Sequence, residues 1–146
     1  MKRSIEGEKL VKEFESLRLK AYLDGGGVPT IGYGTTKYLG KTPVKLGDVI
    51  TKKRAEELFL FDCDITDKAI PKYLSLTQRQ YDAIFSFVYN VGKTQFMAST
   101  LLKELRKNPN SEAVGKQWVR WVRDNGVVVE GLRIRRNKEL AYYKNV

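Results

Sequence analysis

The sequence predicts an α+β protein in which a small β-hairpin lobe and a larger helical lobe are joined by one long helix. Three observations carry this. Apolar and polar residues alternate strictly from Leu17 to Tyr22, and the run ends at Asp24 and three consecutive glycines. Residues 51–71 hold the longest stretch of helical periodicity, and beyond Pro71 four more helical starts follow, separated by turn signals.

In chain order, Ser4 is placed to N-cap a short helix with Leu10, Val11 and Phe14 on one face. Leu17, Leu19 and Ala21 then share one face of a strand, with Arg18, Lys20 and Tyr22 on the other. Asp24 and Gly25–Gly27 turn the chain into a return strand over 28–33, which Pro29 restricts to an edge. Residues 34–50, with Gly34, Gly40, Pro43 and Gly47, read as loops and one further short strand. Thr51 caps the long helix, whose apolar side carries Ala55, Leu58, Phe59, Ile65 and Ala69, with Asp62 in its middle. At about 1.5 Å per residue this helix spans roughly 30 Å. Helices then begin near Thr77, Ala98, Ser111 and Leu132, separated by Gly92, the NPNS turn at 108–111 and the DNG turn at 124–126. The expected organisation is a single domain, 1–146, in which 15–50 form the small lobe, 51–71 the connecting helix, and 1–14 with 72–146 the helical lobe.

Composition narrows the chemistry. Hydrophobic residues at 42% and charged residues at 30% describe a chain able to build a core without crosslinks. With one cysteine, Cys63, and no histidine, disulfide frameworks, Cys and His zinc sites and a histidine base are excluded, so no metal is expected and catalysis must rest on other groups. The 27 basic and 17 acidic residues are unevenly placed: residues 1–72 carry 14 and 11, residues 73–146 carry 13 and 6. The C-terminal half makes most of the positive field, which suits an anionic polymer such as nucleic acid, an acidic lipid surface or bacterial wall glycan. No run approaches the ~20 apolar residues of a membrane span. Glu6, Glu8 and Glu13 stand where the apolar core of a secretory signal belongs.

Glu15 and Asp24 are the first candidates for chemistry. Glu15 follows the apolar Phe14 at a helix end, a setting that raises a carboxyl toward the range of a general acid, whereas Asp24 on a glycine-rich tip stays ionised. One protonated and one ionised carboxyl are what glycoside hydrolysis requires. Thr30, across the hairpin from Asp24, offers a hydroxyl to hold a water. The same residue types also serve as a solvated helix end and a turn former, and pattern alone leaves that reading open. The GYG run at 32–34 lacks the Gly-Lys-Ser/Thr and βαβ context of a phosphate loop and is not read as one.

The run FESLRLKAYLDGGGVPTIGYGTT at 14–36 resembles the active-site segment of the phage-type lysozymes, glycoside hydrolase family 24. LTQRQYDAIFSFVYNVG at 76–92, STLLKEL at 99–105 and WVRWVRDNGVVVEGLRIRRNKE at 118–139 are similar to further blocks of that family in the same order. The resemblance implies a lysozyme-like fold with a cleft between hinged lobes. It also implies an inverting muramidase acting on peptidoglycan without a cofactor, with Glu15, Asp24 and Thr30 as its triad and Asn90 lining the sugar groove. Asn90 is equally readable as a helix C-terminal residue before Gly92. Two positions depart from the family: Ser16 replaces a usual glycine, and Thr35 replaces a frequent histidine that would pair with an acid at Asp62.

Of Arg133, Arg135 and Arg136, at least one is expected to pair with Glu6, Glu8 or Glu15 while the others form a solvated face. Trp118 and Trp121, three apart, are expected to share a helix face in the core, ahead of sugar stacking. Without a signal or span, a monomer made in the host cytoplasm would need a holin-type partner to reach the periplasmic wall. The competing reading is a basic, non-catalytic binder of nucleic acid or envelope, which the absence of a helix-turn-helix or stacking motif disfavours.

Overall fold

A computed structural model describes residues 1–145. The elements are α1 Ile5–Phe14, β1 Arg18–Leu23, β2 Pro29–Gly32, β3 Lys37–Tyr38, β4 Thr42–Pro43, α2 Lys52–Ala69, α3 Gln78–Val91, α4 Lys93–Met97, α5 Thr100–Lys107, α6 Glu112–Trp118, β5 Arg123–Asp124, β6 Val127–Val128 and α7 Glu130–Lys144. The chain divides into two compact units, one formed by Val11–Ile65 and the other joining Met1–Leu10 to the chain from Thr66 onward.

In the first unit β1 and β2 pair antiparallel, Tyr22 opposite Thr30 and Leu23 opposite Pro29, with a slip in register between Arg18 and Tyr22. The slip breaks the alternation expected from sequence: Ala21 is buried, but Leu19 is 39% exposed. Leu19 accepts a bond from the Ile50 N–H, while the Ala21 N–H bonds the Asp48 carbonyl, so the chain near 49 lines the outer edge of β1. Ala21, Ile31 and Val44 form the core beneath, with Tyr38 and Ile50 packed against it. β3 and β4 make a second small hairpin in the region read as loops and one further short strand. Thr51 caps α2 by accepting from the Arg54 N–H at 3.1 Å. Cys63 and Thr66, not Ile65, continue the buried side of that helix after Phe59; Ile65 is 43% exposed.

In the second unit α3 is the central helix, buried from Gln80 to Val88 without a break. A helix enclosed on all sides needs its polar residues partnered, and Asp82 and Ser86 both are. Thr77 and Gln80 close a reciprocal capping box at its start, and Gly92 ends it at φ 92°. The N-terminal residues are fastened to this unit: Ser4 donates to Asp82 through its N–H and hydroxyl, and Arg3 bonds Asp67. Asn125 and Gly126, at φ 50° and 78°, form the tight turn of the β5–β6 hairpin where the DNG signal stands.

The structure departs from the sequence-based expectation at several points. α4 adds a helix that the pattern did not predict, and α7 begins at Glu130, two residues before Leu132. Trp118 closes α6, so Trp121 lies beyond the helix; both rings meet Phe87 edge-on, at 5.5 and 5.6 Å, and Trp118 is fully buried. Arg135 and Arg136 are buried, not a solvated face, while Arg133 is exposed and pairs with Glu130. Glu8 pairs with Arg3 and Glu6 with Lys9. Among the described residues no helix is long and apolar enough to cross a membrane.

Candidate active site

Glu15, Asp24 and Thr30 all belong to the unit Val11–Ile65. Glu15 is the residue after α1, and its N–H still bonds the Val11 carbonyl at 2.9 Å, so the helix geometry fixes its backbone although α1 ends at Phe14. Its half-buried carboxyl lies against Gly34: a Cβ built on Gly34 would stand 2.8 Å from Glu15 Oε1 and 3.3 Å from its Cδ. Next to Gly34, the Tyr33 ring meets Phe59 of α2 at 5.2 Å, and the Lys12 ammonium lies over both rings while pairing with Glu56. The loop facing Glu15 is thereby held to α2 and to α1 itself.

Asp24 sits exposed at the tip of the β1–β2 hairpin, as the sequence predicts. Its Oδ1 accepts from the N–H of Gly26 at 2.9 Å and of Val28 at 2.8 Å, while its own N–H bonds the Val28 carbonyl. This is an Asx turn, with Gly27 at φ 78° supplying the left-handed residue that closes it. Both bonds fall on one oxygen, leaving Oδ2 of a fixed carboxylate to act on something else.

Thr30 is buried, and its hydroxyl donates to the Val28 carbonyl at 2.8 Å. Its proton is therefore committed to the turn that also holds Asp24, and only the oxygen lone pairs remain to accept from a water. Directly opposite stands Tyr22, whose ring carries the Arg18 guanidinium 4.5 Å from its centre. Burial pushes the Tyr22 phenol up; the negative charge of Glu15 adds to this, Arg18 opposes it, and Asp24 contributes further. Sequence reading missed Tyr22 and Gly34, although the signals were visible: a tyrosine on the polar face of β1 two residues before Asp24, and the unexplained GYG run.

Asn90 belongs to the other unit. It is exposed on the last turn of α3, the helix C-terminal position that the sequence also allowed, two residues before the Gly92 cap. Its Oδ1 accepts from the Arg136 guanidinium, which turns the amide NH2 away from Arg136. Arg136 also pairs with Glu139 at 3.2 Å, and Glu139 accepts from Ser86, Arg135 and the Trp118 indole. Asn90 is the outer end of a buried polar network.

Comparison with known proteins gives a consistent picture. Residues 12–139 match the family model described as phage lysozyme. The chain is 38% identical over 148 residues to an endolysin of Acyrthosiphon pisum secondary endosymbiont phage 1, covering 97% of each chain. Among solved structures it is similar to the endolysin from Escherichia coli O157:H7 phage FAHEc1, at 36% identity and a TM-score of 0.82, covering 98% of this chain and 93% of that one. It is also similar to the muramidase domain of SpmX from Asticaccaulis excentricus, at 29% identity and a TM-score of 0.77, covering 97% of both.

Proposed function

The chain belongs to the phage lysozyme family, and from that premise we propose that it is an endolysin muramidase, cutting the β-1,4 bond between N-acetylmuramic acid and N-acetylglucosamine in bacterial peptidoglycan. The observation that carries this is the match over residues 12–139, within which Glu15, Asp24 and Thr30 fall on one compact unit. The roles follow from what each group can do. Glu15 donates a proton to the leaving glycosidic oxygen. Asp24, its Oδ1 tied to two backbone N–H groups, turns Oδ2 to an attacking water and takes its proton. Thr30 accepts a hydrogen bond from that water, since its own proton goes to Val28.

Water held by a second carboxylate attacks the face opposite the leaving group and inverts the anomeric centre, which calls for carboxyls roughly 6.5–9.5 Å apart. No metal or cofactor enters this chemistry. Asn90 supports a sugar through its outward NH2, a donor suited to a hydroxyl or acetamido oxygen. The surplus of basic residues in 73–146 favours adsorption to an anionic wall. The alternative of a non-catalytic polyanion binder is disfavoured by the family match, which takes in residues 12–139. The enzyme is made in a host cytoplasm and acts on the periplasmic wall once a holin-type membrane protein opens the way.

The test is clearing of purified cell walls by wild type beside Glu15→Gln. Loss of clearing with the variant, together with new reducing ends from wild type, supports the assignment. Equal clearing refutes the acid role, and clearing without reducing ends replaces the glycosidase with an amidase or peptidase. Prompt lysis on cytoplasmic expression alone would remove the holin requirement.

A further inference from the structure

We infer that Gly34 is a positioning residue for the reaction: the missing side chain at this one position leaves the room in which the Glu15 carboxyl rests. The inference rests on reading Glu15 as the proton donor. Gly34 has φ 83°, and a Cβ there would lie 2.8 Å from Glu15 Oε1, 3.3 Å from Cδ and 3.7 Å from Oε2. The three nearest atoms all belong to the end of that one side chain.

What happens on adding a methyl depends on which side can move, and the loop cannot. Thr35, the next residue, exchanges two backbone hydrogen bonds of 2.9 Å with Ile31, and its side chain is bonded to Asp62 on α2 at 2.7 Å. On the other side, Tyr33 is packed on Phe59. The Glu15 carboxyl, by contrast, is the far end of three rotatable bonds. A methyl at 34 therefore displaces the acid and leaves the loop where it is. Stability and activity separate as a result: the fold loses only what any left-handed glycine loses on becoming alanine, while a proton donor moved by about 1 Å loses on the order of 100-fold in turnover.

The structure provides its own control. Gly47 has φ 99°, and a Cβ added there would meet nothing within 4 Å, so Gly47→Ala carries the same kind of backbone strain with no contact. Initial rates of wall clearing over a range of wall concentrations would be measured for wild type, Gly34→Ala, Gly47→Ala and Glu15→Gln, with the thermal midpoint and the ¹³C carboxyl resonance of Glu15 recorded where that residue is present. The expected result is similar midpoints for the two glycine variants, kcat down by about 30-fold or more in Gly34→Ala alone with KM within about twofold, and a shifted Glu15 resonance only there. Equal kcat in the two glycine variants, with Glu15→Gln inactive, overturns the inference and leaves the proton-donor reading intact. A Gly34→Ala chain that fails to fold where Gly47→Ala folds also overturns it, because the clash would then have fallen on backbone. An active Glu15→Gln overturns both.

Discussion

The Thr35 hydroxyl donates a 2.7 Å hydrogen bond to Asp62 Oδ2, joining the loop after β2 to the buried side of α2. Thr35 is buried, and its neutral hydroxyl offsets only part of what the Asp62 carboxyl loses on leaving water. Burial accordingly pushes the Asp62 carboxyl up to about 6, with the Thr35 bond pulling the other way. With only a neutral hydroxyl as this partner, the half-buried acid holds its proton more tightly than a free carboxyl does.

That preference fixes the sign of a pH effect. The folded chain holds the Asp62 proton more tightly than the unfolded chain, so the associated stability is fully present below about pH 4 and is lost as pH rises through 6. The difference corresponds to roughly 2–3 kcal/mol. Asp62→Asn keeps an oxygen for Thr35 and removes the ionisation. Urea unfolding at pH 4, 5, 6 and 7 should show the wild type losing stability relative to Asp62→Asn across that window, the variant being the more stable at pH 7. Parallel curves would show that Asp62 ionises freely in the fold.

The bond from Thr30 to the Val28 carbonyl ties a proposed catalytic residue to the turn that fixes Asp24. Thr30→Val keeps the shape and removes both the donor and the acceptor. Stability should fall by about 1 kcal/mol, as for one hydrogen bond, while turnover falls by about 100-fold because the water loses its acceptor and the tip loses its brace. Thr30→Ser should retain turnover within a few-fold. A serine variant as impaired as the valine one would mean that the methyl group, not the hydroxyl, matters.

At the N-terminus, Asp67 accepts from the Arg3 N–H at 2.9 Å, the Arg3 guanidinium at 2.6 Å and the Tyr81 hydroxyl at 2.7 Å. Tyr81→Phe removes one of these and should cost about 1 kcal/mol in urea unfolding. Asp67→Ala strands the rest and should cost about 3 kcal/mol, with faster amide exchange at residues 3–8. Equal losses in the two variants would argue that the tyrosine, and not the carboxylate, is the centre of this cluster.

How much of this was legible in the sequence depended on whether a signal was local. Thr51, Thr77 and Ser111 announce their helices because a cap acts within four residues, and Asn125-Gly126 announces a turn, though not the strands it joins, because the turn type demands those residues. The slip in β1 was not legible: alternation put Leu19 inside, and only the pairing of the Arg18–Tyr22 segment with its neighbours turns it out. The arginines of α7 failed for a similar reason. Read alone, these arginines gave one partner for an N-terminal acid and a solvated face, because the partners of Arg135 and Arg136 lie on α3, 49 and 46 residues earlier in the chain. At the proposed site the spacing of Glu15, Asp24 and Thr30 stands in the sequence, but the reason for Gly34 does not, since its neighbour in space is 19 positions away.

The last prediction concerns that network on α7. Glu139 has no exposure; its Oε2 accepts from Ser86 at 2.5 Å and Arg135 Nε at 3.1 Å, and its Oε1 from the Trp118 indole at 3.2 Å, with Arg136 also at 3.2 Å. One carboxylate thus neutralises part of two buried guanidinium charges, and removing it leaves both with too little compensation. Glu139→Ala should cost about 3–5 kcal/mol, a large share of the stability of a domain this size, and Glu139→Gln somewhat less because a neutral oxygen can still accept. Ser86→Ala removes one donor and should cost only about 1–2 kcal/mol. Because Arg136 carries the bond to Asn90, Glu139→Gln should also raise KM for cell walls by a few-fold with kcat little changed, which Ser86→Ala should not do. Urea unfolding followed by tryptophan fluorescence reports the first effect directly, since the Trp118 N–H bond is one of those broken. A Glu139→Gln chain as stable as Ser86→Ala would show that the two arginines carry their charges without help from Glu139.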